Sequence, residues 1–445
     1  MGKRRLLAVA LAAFLVVGLA LAAGCGGSET ATTQASTAST AETVGSTDTT
    51  AVEAASGQTI PIGVELGFTG DMAPWAEPIA NAAVVAVEEI NAAGGVLGRP
   101  LELFTGDDES GVEGGVRAAQ KLVNVNKVVS IVGPESNPIM ALLDFAKENQ
   151  VPIISTSAGT SGLDKVGGQG NFIYRTNASD SFIGVSEAWI AKNELGANEV
   201  IVIMESTEGA TSAGESFMRN FEAIGGTITD KVTVNPGQAK YSSELKAVYD
   251  QNPSFVYMSA SQPVAIAILK ERYEKGYGGQ IMGSSEIQTP ETVEGAGPEA
   301  AAGLLTTRIV ELTDSQGWDR FVKLYSDRWG EPPSPGYYQS NTYDAVVLAA
   351  LAMEAAGEAS GAAIDQYLTD VSRGTGSDSV KVWGFEEGKA ELANGNSINF
   401  EGSSGPCDFN EYGNISGAAN AVMQVDESGE WIVLKTILTS ELPAG

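Results

Sequence analysis

From Ile60 onward, short apolar runs alternate with segments of helical period, and few architectures accept that alternation. Ile60-Pro61-Ile62-Gly63-Val64-Glu65-Leu66 reads as a buried strand. Ile79, Ala83, Val87 and Ile90 then recur at helical spacing until Gly94-Gly95 ends the helix. Further strands fall at Leu101-Glu102-Leu103-Phe104, residues 128–132 and residues 151–154. Between them lie one helix carrying Val112, Val116, Ala119 and Val123 and another carrying Ile139, Leu142 and Leu143. Strands separated by helices of this length form βαβ units on a parallel sheet. The pattern restarts with strands at 200–204, 255–258 and 281–282 and helices at 213–223, 242–249 and 263–275. One sheet holding all of these would be unusually wide, so two α/β lobes are expected, each Rossmann-like around a central parallel sheet. Ligands of open parallel sheets bind beyond the carboxyl ends of the strands, and two lobes with those ends facing enclose a cleft. From Val380 the tail carries short strands at 421–425 and 431–434 among Gly and Asn turns.

Composition removes whole classes of chemistry. The 445 residues include no His, which takes away the commonest general base and metal ligand. Two Cys build neither a disulfide framework nor a Cys-based zinc site. A net charge of −30 repels phosphate backbones and argues against nucleic acid as a partner. Neither a Gly-x-Gly-x-x-Gly fingerprint nor a Gly-x-x-x-x-Gly-Lys-Ser/Thr loop occurs, and no cofactor is expected.

The N-terminus reads as an export signal. Lys3-Arg4-Arg5 precedes an apolar run from Leu6 to Ala23, and small residues lead into Cys25. This resembles a bacterial lipoprotein signal, with residues 1–24 removed and Cys25 left as the lipidated N-terminus. Residues 25–58 form a tether: Ser28 to Thr59 holds 15 Ser or Thr in 32 residues and no aromatic, Leu, Ile, Lys or Arg. Such a segment cannot bury enough apolar surface to order itself. As a flexible coil it spans about 30 Å.

The order of segments in the body resembles the leucine/isoleucine/valine-binding family, which has the type I periplasmic-binding fold. The most specific stretch is Ala86-Val87-Glu88-Glu89-Ile90-Asn91-Ala92-Ala93-Gly94-Gly95-Val96-Leu97-Gly98-Arg99. Asp107-Asp108, Val132-Gly133-Pro134, Val151-Pro152-Ile153-Ile154-Ser155, Tyr174-Arg175-Thr176, Tyr343-Asp344-Ala345-Val346 and Gly405-Pro406 follow in family order. The resemblance implies two lobes joined by three crossovers near Arg175, near Thr306 and after Gly374. Lobe 1 would then comprise residues 59–175 and 306–374, and lobe 2 residues 176–305 and 375–445.

The resemblance also implies where a ligand sits. The family's Gly-Pro strand end leads here to Ser136 and Asn137, where Asn137 alternatively only caps its own helix. The next lobe-1 element supplies Ser157, Ala158 and Thr160, with Gly159 standing where the family usually has Thr or Ser. A hydroxyl for a ligand carboxylate then comes from Ser157 or Thr160. Trp75 matches the family's aromatic in the first loop, and Tyr337 or Tyr338 a second aromatic. On lobe 2, Gly209 lies where the family often has Tyr, beside Glu208, and Gln262 follows the strand at 255–258. The family's carboxylate for the ligand ammonium aligns with Ser285, and Glu286, one residue later, takes that role. A buried ammonium needs such a partner because an unpaired charge is costly to desolvate.

Sharper chemistries are weaker readings. Ser243-Glu244-Leu245-Lys246 matches Ser-x-x-Lys, but no Lys-Thr-Gly or Ser-Asp-Asn companion occurs. The run from Asp408 starts like a calcium loop but has Ala419, not Glu, at its twelfth position, and reads as a hairpin turn. Asp107-Asp108-Glu109 reads as a strand-end acidic loop and Cys407 as a small buried hydrophobe. The expectation is a monomeric, membrane-anchored extracytoplasmic receptor of an ABC importer, not an enzyme. It would bind an amino acid of branched-chain or related type and pass it to permease and ATPase subunits. The alternatives are a binder of amides, urea or aromatic acids, a sensory receptor of the same fold, and a secreted Ser-Lys hydrolase.

Overall fold

Strand pairing sorts the chain into two mainly parallel sheets and one small two-stranded sheet. The computed structural model describes residues 57–310, 314–334, 338–415 and 419–438. The expected leader, Cys25, the expected tether as far as residue 56 and Tyr337 lie outside the described residues. The chain first supplies β1 (Ile60–Leu66), β2 (Leu101–Asp107), β3 (Ile131–Val132), β4 (Ile153–Ser155) and β5 (Ile173–Ala178). Next come β6 (Glu199–Glu205), β7 (Thr227–Val234), β8 (Phe255–Ser259), β9 (Gln280–Gly283) and β10 (Leu305–Val310). The remainder are β11 (Val380–Val382), β12 (Ile398–Phe400), β13 (Asn414–Ile415), β14 (Ala419–Val425) and β15 (Trp431–Leu438). The first sheet runs β13-β5-β4-β3-β1-β2, all parallel. The second runs β15-β14-β10-β9-β8-β6-β7, with β14 and β15 antiparallel additions to a parallel centre.

Side chains that alternate across each strand divide the core into two layers per lobe. Val132, Ile154 and Tyr174 face one way with the helices Ala73–Ala92 and Gln339–Ala356. Ile131, Ile153 and Ile173 face the other way with the helix Val112–Asn124. In the second sheet Ile201, Ile203, Val256 and Met258 oppose Val200, Val202, Phe255 and Tyr257 in the same manner. This two-sided burial is why the strands read as continuous apolar runs.

The most family-specific stretch proves to be a packing device. The Asn91 side-chain amide donates to the Leu101 carbonyl at 2.9 Å and its oxygen accepts from the Leu101 amide at 2.7 Å. That fixes the helix end to the start of β2. Gly95 has φ +70°, and a Cβ there would stand 2.1 Å from the Arg99 carbonyl oxygen, so no other residue fits the return. Glu89 accepts from Arg320 and Tyr343, tying the same helix to two later ones.

The first expected crossover lies close to the end of a strand and the last is displaced. β5 continues to Ala178, so the first crossing falls just past the expected neighbourhood of Arg175. β10 pairs with β9 and β14, which keeps residues 306–310 in lobe 2. The helix Gln316–Trp329 returns to the first core through Trp318, Phe321 and Tyr325. Residues 375–415, expected in lobe 2, remain in lobe 1. Val382, Phe385, Ile398 and Phe400 join its core, and β13 pairs with β5. β13 therefore belongs to lobe 1 and β14 to lobe 2. The helix expected over Ile139, Leu142 and Leu143 divides into Ser136–Ile139 and Leu143–Asn149. The expected hairpin turn at residues 408–413 instead feeds β13. There Asn410 Oδ1 accepts from the Tyr412 and Asn414 amides at 2.9 and 3.1 Å.

Candidate functional site

The loops beyond the carboxyl ends of β3, β4 and β5 meet those beyond β6 and β9, and three cavities lie among them. The largest of the three, about 390 Å³ of space partly open to solvent, is lined by Ser157, Gly159, Asn177, Asp180, Glu187, Ser284, Ser285, Glu286 and Tyr338, among others. The second, about 310 Å³, is lined by Met72, Trp75, Glu135, Ser136, Ser157, Glu286 and Tyr338. The third, about 200 Å³, adds the apolar side chains of Leu66, Ala76 and Ile79. Ser157 borders all three, and Glu286 and Tyr338 border the first two.

Each wall has a local cause. Ser179 caps the helix Asp180–Trp189 by accepting from the Ser181 amide at 3.1 Å. Asp180, Ile183 and Glu187 then follow at helical spacing and present one face to the largest cavity. The strand end at Gly133 has φ +117°, where a Cβ would lie 2.5 Å from the Glu65 carbonyl oxygen; the tight exit delivers Glu135 and Ser136 to the cleft. Ser284, Ser285 and Glu286 enter on a single 3₁₀ turn after β9. Trp75 and Tyr338 pack with ring centroids 5.9 Å apart and make an aromatic side to the second cavity.

The cleft is acidic. Asp180, Glu187, Glu286 and Glu135 line the first two cavities, and no Lys or Arg is among the described residues that line any of the three. Burial pushes the Glu286 carboxyl up to about 8, reinforced by Asp180, Glu205, Glu187 and Asp71. Burial also lifts Glu187 to about 8, although Tyr257 donates to it at 2.6 Å and Thr307 at 3.2 Å. Asp180 is raised to about 6, first by burial, against the opposing pull of Ser212 and Arg175. Glu135 stands well above the usual carboxylate range because it is buried and faces Asp108 and Glu286. Arg175 is occupied elsewhere: it donates to the carbonyls of Gly159 and Thr160 at 3.1 and 2.9 Å and to Asp164 at 2.5 Å.

The sequence-derived candidates separate into three groups. Trp75, Ser136, Ser157, Glu286 and Tyr338 line the cavities together. Asn137, Thr160 and Glu208 instead join the lobes. Thr160 Oγ1 donates to Glu208 Oε1 at 2.7 Å, and the Glu208 amide donates to Asn137 Oδ1 at 3.1 Å. The Ser161 amide adds a bond to Ser212 Oγ at 2.8 Å. Ala158 and Gln262 line none of the three cavities. Ala158 is fully buried in the core, and Gln262 donates its side-chain amide to Thr289 at 2.5 Å.

Sequence reasoning missed Glu135, Asn177, Asp180, Glu187 and Ser284. Glu187 carried a signal, since an acid at helical spacing from Ile183 interrupts a buried face. Asp180 also accounts for Gly159: a Cβ at Gly159 would fall 2.0 Å from Asp180 Oδ1, so Thr or Ser there would have to displace the carboxylate.

The other motifs carry no chemistry in the fold. Ser243 and Lys246 are exposed on the helix Ser242–Tyr249, and Lys246 pairs with Asp250. Asp107 and Asp108 serve their own turn, accepting from Thr69, Glu109 and Ser110. No group of acidic, Cys or His side chains fit to hold a metal ion occurs among the described residues. Cys407 is buried and donates to the Gly405 carbonyl at 3.5 Å.

Comparison with known proteins places this geometry. Residues 59–429 match the profile of a family described as Periplasmic binding protein. A Leu/Ile/Val-binding protein of Rhizobium johnstonii is 26% identical over 304 residues, covering 67% of this chain and 80% of the relative. The crystal structure of a leucine binding protein from Thermotoga maritima superposes with a TM-score of 0.73 at 24% identity, covering 86% of this chain and 100% of that one. A branched-chain amino acid transporter substrate binding protein from Streptococcus pneumoniae, solved with isoleucine, gives 0.70 at 22% identity, covering 86% of this chain and 99% of that one.

Proposed function

The chain belongs to the periplasmic binding protein family, a family of binding proteins and not of enzymes, and on that premise we propose that it is the extracytoplasmic solute receptor of an ABC importer. Its ligand is a small amino-acid-like solute bearing an ammonium group. The observation that carries this reading is the position of Glu286, a half-buried carboxylate bordering the two larger cavities between the lobes and facing Ser157 across them. A carboxylate there pairs with a cationic nitrogen inside a water-poor cleft, where a charge-assisted hydrogen bond is strong. Ser136 and Ser157 stand opposite as hydroxyl partners, and Trp75 with Tyr338 covers apolar parts of the solute.

Lobe closure supplies the mechanism. The solute docks on one lobe, the other swings about the three crossovers, and the bonds from Glu208 and Ser212 to lobe 1 form as water leaves. The closed shape is what permease subunits recognise. The basic leader, Cys25 and the Ser/Thr-rich segment support attachment of the body to a membrane surface through a lipid anchor.

A thermal-shift panel on the full-length chain tests the reading with amino acids, amides, urea and aromatic acids. A solute at about 100 times its dissociation constant adds about 2.7 kcal/mol, a readable rise in melting temperature. The expected result is a shift from amine-bearing solutes that Glu286→Gln abolishes. A shift confined to amine-free acids and indifferent to Glu286→Gln would overturn the ammonium assignment and leave the receptor reading standing.

A further inference from the structure

The cleft holds more acid than one ammonium requires. Glu286 alone would satisfy a single ammonium, yet Asp180 and Glu187 share the largest cavity with it and Glu135 borders the neighbouring one. Two polar groups there await a partner. Glu135 is 8% exposed and its Oε1 has no hydrogen-bond partner among the described residues. Ser284 is 2% exposed, lines the largest cavity and leaves its Oγ unpartnered. Buried polar atoms are nearly always hydrogen-bonded, so such atoms at a cavity wall mark where ligand atoms belong. Two positions of the loop that would hold an acidic ligand group are at the same time committed elsewhere, because Thr160 Oγ1 donates to Glu208 and a side chain at position 159 would strike Asp180, which leaves Ser157.

We infer that the ligand carries two cationic nitrogen groups joined by a short aliphatic chain, one held by Asp180, Glu187 and Glu286 and the other by Glu135, with the chain lying against Trp75 and Tyr338. A diamine and a diamino acid both meet this description. In the diamino acid, Ser136 and Ser157 take the carboxylate. The inference rests on the reading of the cleft as a solute site and names the class of solute. The electrostatics of the cleft agree with it: carboxyls crowded together and partly desolvated favour their protonated forms, and a cation among them favours ionisation.

Isothermal titration of the full-length chain with cadaverine, putrescine, lysine, leucine, butylamine and benzoate decides the matter. The expected result is that cadaverine, putrescine or lysine binds at least about tenfold more tightly than butylamine and leucine. Tighter binding of lysine identifies the diamino acid, and tighter binding of cadaverine or putrescine the diamine. Glu135→Gln should remove the advantage of the dication over butylamine, and a cooperative thermal unfolding transition like that of the native chain shows that the variant is folded. Leucine or benzoate binding more tightly than every dication would overturn the inference while the solute-receptor reading stood. Silence of the dications overturns it too. If scattering also shows no compaction with any of the six solutes, the receptor reading falls with it.

Discussion

Thr160 and Glu208 belong to different lobes, and their side chains are joined by a 2.7 Å hydrogen bond. Thr160 is fully buried and Glu208 lies at the exposed start of the helix Glu208–Ala223, so the bond sits on the rim of the cleft and forms when the lobes meet. Glu208→Ala removes this contact but keeps the backbone bond to Asn137. The affinity for solute should fall by about threefold to tenfold, the worth of one hydrogen bond near the surface. Titration measures that loss, and scattering of the solute-saturated variant should show a larger open fraction.

Gly159 and Asp180 exclude one another's alternatives. Gly159→Thr places a Cβ 2.0 Å from Asp180 Oδ1 and should destabilise the protein by about 1–3 kcal/mol, as overpacking does. The double variant Gly159→Thr with Asp180→Ala should recover most of that stability. A coupling energy near zero in the double-mutant cycle, read by chemical denaturation, would refute the contact.

Asp344 shows how much of the family pattern is structural. Its carboxylate accepts from the Ser403 amide and hydroxyl at 2.7 and 2.9 Å and from the Ser404 amide and hydroxyl at 2.8 and 2.6 Å. It is fully buried and holds the loop before Cys407 against the helix Gln339–Ala356. Asp344→Ala leaves those donors buried without an acceptor. The stability loss should exceed about 3 kcal/mol, since each orphaned donor costs roughly 1–3 kcal/mol. Urea denaturation measures it.

Apolar runs with parallel-sheet burial declared themselves in sequence, which is why β1, β6 and β8 and the two-lobed architecture were legible. The crossovers were not, because β13 is two residues long and partly polar, and nothing in Asn414-Ile415 announces pairing with β5. The site divides the same way. Trp75, Ser136, Ser157, Glu286 and Tyr338, which line the cavities, were named from their order along the chain. Asp180, Glu187 and Glu135 acquire meaning only when three strand ends and a helix converge, a relation that no local pattern encodes. Ala158 looked like a site residue because it neighbours one, yet its side chain turns into the core.

The raised carboxyls of the cleft give stability and binding opposite dependences on pH. A group whose folded pKa lies above its unfolded value contributes stability that is complete below the unfolded pKa and is lost as pH climbs through the folded one. Glu286 and Glu187 move from about 4.5 unfolded to about 8 folded, and Asp180 from about 3.8 to about 6. The ligand-free protein should therefore lose stability steadily between about pH 4.5 and pH 8. The groups facing Glu286 are Asp180, Glu187, Glu205, Asp71, Glu135 and Tyr338, all acidic, so no cation within the cleft offsets the trend. Glu286→Gln should raise the melting temperature at pH 8 and leave it nearly unchanged at about pH 4, where the native acid is protonated already. A cationic solute reverses the preference by favouring the ionised acids. Its affinity should rise from about pH 6 to pH 9, and binding at neutral pH should release protons. Titration in two buffers of different ionisation enthalpy counts them, and proton uptake would contradict the assignment of Glu286 to a cation.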